Sequence, residues 1–168
     1  MTDPSASPPH GITTDDAETF AGLVGPGRLI GIDAGTKTLG LALSDTRRSI
    51  ASALETIRRT KFTADATRLI DLTQEHGVVG YVLGLPANMD GSEGPRAQAS
   101  RAFARNMNKL SPLPVLLWDE RMTTLEAERM LIAADASRKR RADVIDKLAA
   151  TLILQGALDR LRRLADPA

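Results

Sequence analysis

The run Arg28-Leu29-Ile30-Gly31-Ile32-Asp33-Ala34-Gly35-Thr36-Lys37-Thr38-Leu39-Gly40-Leu41-Ala42-Leu43 decides the fold. Two apolar stretches flank a glycine-threonine turn, which reads as two antiparallel strands on a tight connection. Asp33 interrupts the first of them. A carboxylate inside a strand that otherwise reads as core is costly to desolvate, and a divalent cation or a bound phosphate is a usual neutraliser. The alternative is that Asp33 accepts the amide hydrogens of its own turn. The segment alone leaves both readings open.

Outward from this hairpin, residues 49–57 continue as a third strand after the Asp45-Thr46-Arg47-Arg48 connection. Ala66, Leu69, Ile70 and Thr73 fall at helical spacing within residues 63–76, and His76-Gly77 supplies a stop. Val78-Val79-Gly80-Tyr81-Val82-Leu83-Gly84 is continuously apolar, as a central strand buried on both faces requires. A polar loop from Asn88 to Gly94 precedes a helix over residues 95–110. Residues 114–118 form a fifth strand, residues 124–134 a helix and residues 143–164 a long last helix. The order β-β-β-α-β-α-β-α-α predicts an α/β fold with a five-stranded mixed sheet flanked by helices. One domain is expected over residues 28–165. Residues 1–27 are expected to be a largely disordered N-terminal extension with a short helix over 15–24.

The 168 residues are 42% hydrophobic and 26% charged with a net charge of +1, so a nucleic-acid partner would have to be met by local basic clusters. The absence of cysteine excludes zinc fingers, disulfides and thiol catalysis. The polar, proline-rich start lacks the pattern of a secretion signal, and no run approaches the ~20 apolar residues of a membrane span. A cytoplasmic location is expected.

Most carboxylates have an ordinary explanation. Asp159 precedes Arg162 and Arg163 at helical spacing. Glu126 follows Thr123 by three, as in a capping box. Glu128 lies on the polar side of that helix, and Asp65, Asp71 and Glu75 read as decoration of a surface helix. Asp119 and Glu120 differ, because they follow an apolar strand at the carboxyl end where open α/β sheets bind ligands. Adjacent strand residues face opposite ways, so only one of the two can face a given site, and pairing with Arg121 is the plain alternative. Asp146 shares a helix stripe with Ala142, Ala149, Ala150 and Ile153, an unusual place for an acid, and the plain alternative is a helix-start Asp that accepts local amides, a role that suits Asp143 better. Acids from the first strand, the end of the fifth and the last helix could converge, and their chemistry would then be two-metal phosphodiester hydrolysis with Mg²⁺ or Mn²⁺. His10 and His76 lie in a tail and at a helix end and read as bystanders.

Four motifs carry a resemblance: Gly31-Ile32-Asp33-Ala34-Gly35-Thr36-Lys37, Gly84-Leu85-Pro86-Ala87-Asn88-Met89-Asp90-Gly91, Asp119-Glu120-Arg121-Met122-Thr123-Thr124, and Asp146-Lys147-Leu148-Ala149-Ala150 followed by Ile153-Leu154-Gln155. In this order the chain resembles the YqgF (RuvX) family, described as Holliday-junction-resolvase-like proteins and pre-16S rRNA nucleases. The resemblance implies an RNase H-like fold, a metal-dependent nuclease site at Asp33, Glu120 and Asp146, and the choice of Glu120 over Asp119. Resolvase relatives in the wider superfamily place an acid after the fourth strand, where this chain has Gly84-Leu85-Pro86. The resemblance therefore implies that Glu120 supplies that ligand from the neighbouring strand.

Thr36 and Lys37 could meet a phosphate, Asn88 a sugar or base edge, and Arg96 and Arg121 the substrate backbone. Arg138-Lys139-Arg140-Arg141 is the one dense basic cluster, expected in a loop before the last helix. With 3% aromatic residues, extensive base stacking is not expected, and a structured or duplex substrate fits better. The expected partner is nucleic acid, as pre-rRNA or branched DNA, with ribosome association, no membrane, and a monomer or weak homodimer. The resemblance implies a role in maturation of the 5′ end of pre-16S rRNA, whereas the residues themselves do not decide between RNA and branched DNA. Alternatives are a Holliday junction resolvase or a non-catalytic nucleic-acid-binding factor. A nucleotide-binding module of the actin or sugar-kinase type would need a second domain, for which the chain has no room.

Overall fold

The computed structural model describes residues 10–122 and 138–166, the side chains of 138–146 excepted. The expected helix over 124–134, with Thr123, Glu126 and Glu128, lies outside the described residues. Six strands are seen: β1 (Thr13–Thr14), β2 (Arg28–Ala34), β3 (Thr38–Ser44), β4 (Ala51–Arg58), β5 (Val78–Leu85) and β6 (Val115–Asp119). Four helices accompany them: α1 (Ala17–Leu23), α2 (Phe62–His76), α3 (Pro95–Leu110) and α4 (Arg138–Ala165). The sheet order is β1-β6-β5-β2-β3-β4. β2, β3 and β4 pair antiparallel, while β5 joins β2, and β6 joins β5, in parallel. An antiparallel meander whose first strand is then extended by two parallel strands, each reached through a helix, is the RNase H-like arrangement.

The sixth strand is a difference from expectation. Thr13 and Thr14 pair in parallel with Val115 and Leu116, too short a strand to leave an alternating pattern in sequence. Asn108 Nδ2 donates to Thr13 Oγ1 at 2.6 Å, and Phe20 of α1 is fully buried against the sheet and α4. The described part of the N-terminal extension is thus built into the domain, with α1 capped by Asp16.

Strand alternation sorts the core into two layers. Ile30 and Ile32 of β2, Leu39 and Leu41 of β3, and Tyr81 and Leu83 of β5 face α2 and α3. Leu29, Val82 and Leu116 face the other way, with Phe20, Ala150, Ile153, Leu154 and Leu158. α4 crosses β2 closely: a Cβ on Gly31 would stand 2.6 Å from Leu154 Cβ and 2.9 Å from the Ala150 carbonyl oxygen. Gln155 of α4 fixes the start of β4, accepting from the Ala51 amide at 2.9 Å and donating to the Ser49 carbonyl at 3.1 Å.

Two further expectations are corrected. α4 is already helical at Arg138, so the basic tetrad lies within the helix instead of in a loop before it. Arginine, lysine and alanine are good helix formers, and nothing between Arg138 and Asp143 breaks the helix. Asp65 is buried, not decorative: it lies in the first turn of α2, accepts from the Thr60 amide at 3.2 Å, and faces Arg59 at 3.9 Å. Among the described residues no helix is long and apolar enough to cross a membrane.

Candidate active site at the carboxyl edge of the sheet

Register places the first two acids. Ile32 pairs with Leu83 and Gly84 with Trp118, so Asp33, Gly84 and Trp118 stand side by side on three adjacent strands. Asp33 shares the face of Gly31, the α4 side. Glu120 follows β6 in a single 3₁₀ turn over Glu120–Met122 and folds back over β5. A Cβ on Gly84 would lie 2.8 Å from Glu120 Oε1 and 2.6 Å from Ile153 Cδ1. The Glu120 carboxylate therefore takes the space that a residue-84 side chain would occupy, next to Asp33. Glycine in this buried strand is the condition for that fit.

Electrostatics report the same proximity. Burial, and then the facing charge of Asp33 and a hydrogen bond with it, push the Glu120 carboxyl up to about 7, while the Arg96 guanidinium pulls it down. Ionising two carboxylates this close carries a cost that a cation between them would relieve. Their hard oxygen donors, held on a rigid sheet edge, fit a divalent metal. Among the described residues no cluster of three metal-binding side chains forms. The Asp146 side chain lies outside the described residues. Its backbone position is one turn of α4 before Ala150, which crosses β2 at Gly31. The carboxyl-terminal part of α4, at Leu158 and Leu161, lies by Gly25 and Pro26 before β2. The helix thus runs opposite to β2, which puts position 146 at the level of Asp33.

Asp119 takes the other course that the sequence left open. It points to the α3 side and is held by Arg121, whose Nη2 donates to Oδ2 at 2.6 Å and whose amide donates to Oδ1 at 3.0 Å. These contacts keep its carboxyl below the usual range. Arg121 also donates to the Met89 carbonyl at 3.4 Å, tying the loop after β5 to the end of β6. Asn88 is exposed, and its side chain braces its own loop through Ser92 Oγ at 3.1 Å. Arg96 is exposed at the start of α3. The side chains of Arg138, Lys139, Arg140 and Arg141 lie outside the described residues.

Thr36 and Lys37 are exposed in the β2–β3 turn. A residue that the sequence reading missed sets this turn: Arg59 Nη1 donates to the Gly35 carbonyl at 2.6 Å, and the Arg59 amide donates to the Lys37 carbonyl at 2.9 Å. Its guanidinium also lies 5.8 Å from the centre of the Phe103 ring and is ion-paired with buried Asp65. The only sequence signal was Asp65 itself, an acid beside the apolar stripe of α2.

A family model described as RuvX, Holliday junction resolvase, matches residues 27–160. A "Putative pre-16S rRNA nuclease" of Paracoccus denitrificans is 61% identical over 149 residues, 88% of this chain and 94% of the relative. One of the same name from Cereibacter sphaeroides is 64% identical over 144 residues, 86% of this chain and 90% of the relative. Among solved structures, T. thermophilus RuvC in complex with a Holliday junction substrate aligns over 80% of this chain and 95% of that one, at 14% identity and a TM-score of 0.49. On the family match and these close relatives, the chain belongs to the RuvX family.

Proposed function

We propose that the chain is a metal-dependent nuclease that hydrolyses phosphodiester bonds of pre-16S rRNA in maturation of its 5′ end. The observation that carries the reading is the Asp33–Glu120 pair, two acids 87 positions apart brought together where Gly84 makes room. The names of relatives above 60% identity favour rRNA as the substrate over branched DNA.

Asp33, Glu120 and Asp146 would hold Mg²⁺ or Mn²⁺, which would supply water activation and stabilisation of the leaving oxygen. The chain's own groups do the rest. The raised Glu120 carboxyl would give up its proton to a bound cation. Arg96 sets a fixed positive charge against the pair. The turn clamped by Arg59 presents Thr36 and Lys37 to a phosphate, and the Arg138–Arg141 tetrad adds cationic charge to the turns of α4 that lead to Asp146. Such contacts position a strand without reading its sequence.

The test is incubation with pre-16S rRNA and with four-way DNA junctions, each with Mg²⁺, Mn²⁺ or EDTA. Cutting of the rRNA near its mature 5′ end, dependent on metal and lost in Asp33→Asn, is the expected result. Cutting of the junction alone would transfer the site to branched DNA. No cutting of either would end the enzyme reading.

A further inference from the structure

A cavity of about 310 Å³ opens at the same sheet edge on the opposite face, between the loop after β5 and the turn after β6. Its walls include Leu85, Ala87, Leu117 and Met122, and its rim holds the Glu93–Arg101 and Asp119–Arg121 ion pairs. Asp119 lines it and is the chain neighbour of Glu120, so the cavity begins one residue from the acid pair. We propose that this cavity receives a nucleobase of the strand whose phosphate lies at Asp33 and Glu120. The inference rests on the nuclease reading of that pair.

The chemistry fits a base better than a phosphate. Asp15, Glu93 and Asp119 outnumber Arg101 and Arg121, and both arginines are already engaged by carboxylates, so the cavity offers an anion nothing. Apolar walls with carboxylate oxygens at the rim suit an uncharged, flat group that carries N–H donors. The size is at the lower end for small-molecule pockets, enough for one base. Two methionines stand in the open here: Met122 at the cavity is 74% exposed, and Met89 on the facing loop is 85% exposed. In a chain poor in aromatic rings, their polarizable thioethers are available surfaces for a base.

The cleft is also held ready. Asp90 Oδ1 accepts from the Ser92 amide at 2.9 Å and from its hydroxyl at 2.6 Å, the Gly91 amide donates to the Asn88 carbonyl at 2.8 Å, and Arg121 reaches across to Met89. Little ordering is left to be done on binding.

The experiment uses full-length protein with ¹³C-methyl methionine, in EDTA so that nothing is cut. The probes are a single-stranded RNA hexamer and a hexamer of equal charge with abasic positions. The RNA is expected to move the Met122 and Met89 methyl signals by ring currents, while buried Met107 stays still. The abasic strand should leave all three in place and bind roughly three- to tenfold more weakly, a difference that Met122→Ala should shrink. Equal shifts with the abasic strand, still methyls with RNA bound, or no RNA binding would each overturn the proposal. Shifts of the methyls in a protein that cuts no rRNA would retain the base cavity and sink the nuclease reading.

Discussion

Two acids near the same edge of the sheet have opposite surroundings. Asp65, 2% exposed at the start of α2, accepts a backbone hydrogen bond and faces the Arg59 guanidinium. Glu120, at the carboxyl edge of the sheet, is half-buried against a second acid and is pushed up to about 7. The first arrangement neutralises its charge from within the fold and holds α2 and the β2–β3 turn together. The second sets one carboxylate against another, the arrangement on which the proposed metal site rests.

The largest expected break in this contrast is loss of function without loss of fold. Asp33→Asn or Glu120→Gln should lower rRNA cleavage by about 10³-fold, and thermal melting at pH 7.5 should show Glu120→Gln no less stable than wild type. Gly84→Ala should come next. Its methyl would press on Glu120 and Ile153, shifting the carboxylate and lowering cleavage by about 10²-fold with the substrate KM nearly unchanged. Asp65→Ala should do the reverse of the first pair: urea unfolding should show a loss of about 2 kcal/mol, with metal affinity retained.

The pH dependence follows from the raised Glu120 carboxyl. The native state binds the proton more tightly than the unfolded chain, whose carboxyl titrates near 4.5, so the stabilisation is complete below that pH and is lost as pH rises through about 7. Metal-free protein should accordingly lose on the order of 2 kcal/mol between pH 4.5 and 7.5, a slope that Glu120→Gln removes. The smallest effect is that of Arg59→Lys, which keeps the charge and loses the fork that grips the turn. Cleavage should fall about fivefold, through weaker phosphate contact seen as a higher KM.

The sheet was readable because its signals are local. The β2–β3 turn, the doubly apolar β5 and the Gly77 stop of α2 each lie within a few residues, and all three are where expected. β1 was not readable, since two threonines carry no periodicity. The extent of α4 is not readable at its start because Asp143 resembles a cap, whereas the chain is already helical at Arg138. In the site, Asp33 stands out in the sequence as a charge in an apolar strand. The choice between Asp119 and Glu120 depends on β6 register and on the absence of a side chain at Gly84, which are contacts across strands that spacing cannot encode. Arg59 escaped notice for the same reason: its partners Gly35, Asp65 and Phe103 are brought together only by folding.

Asp33 and Glu120 are proposed to share one site. Carboxyl ¹³C NMR of the metal-free protein, followed over pH in wild type and in Asp33→Asn, tests it most directly. Glu120 should titrate near 7 in wild type and clearly lower in Asp33→Asn, where the facing charge is gone. An ordinary carboxylate titration for Glu120 in wild type, unchanged by the substitution, would contradict it.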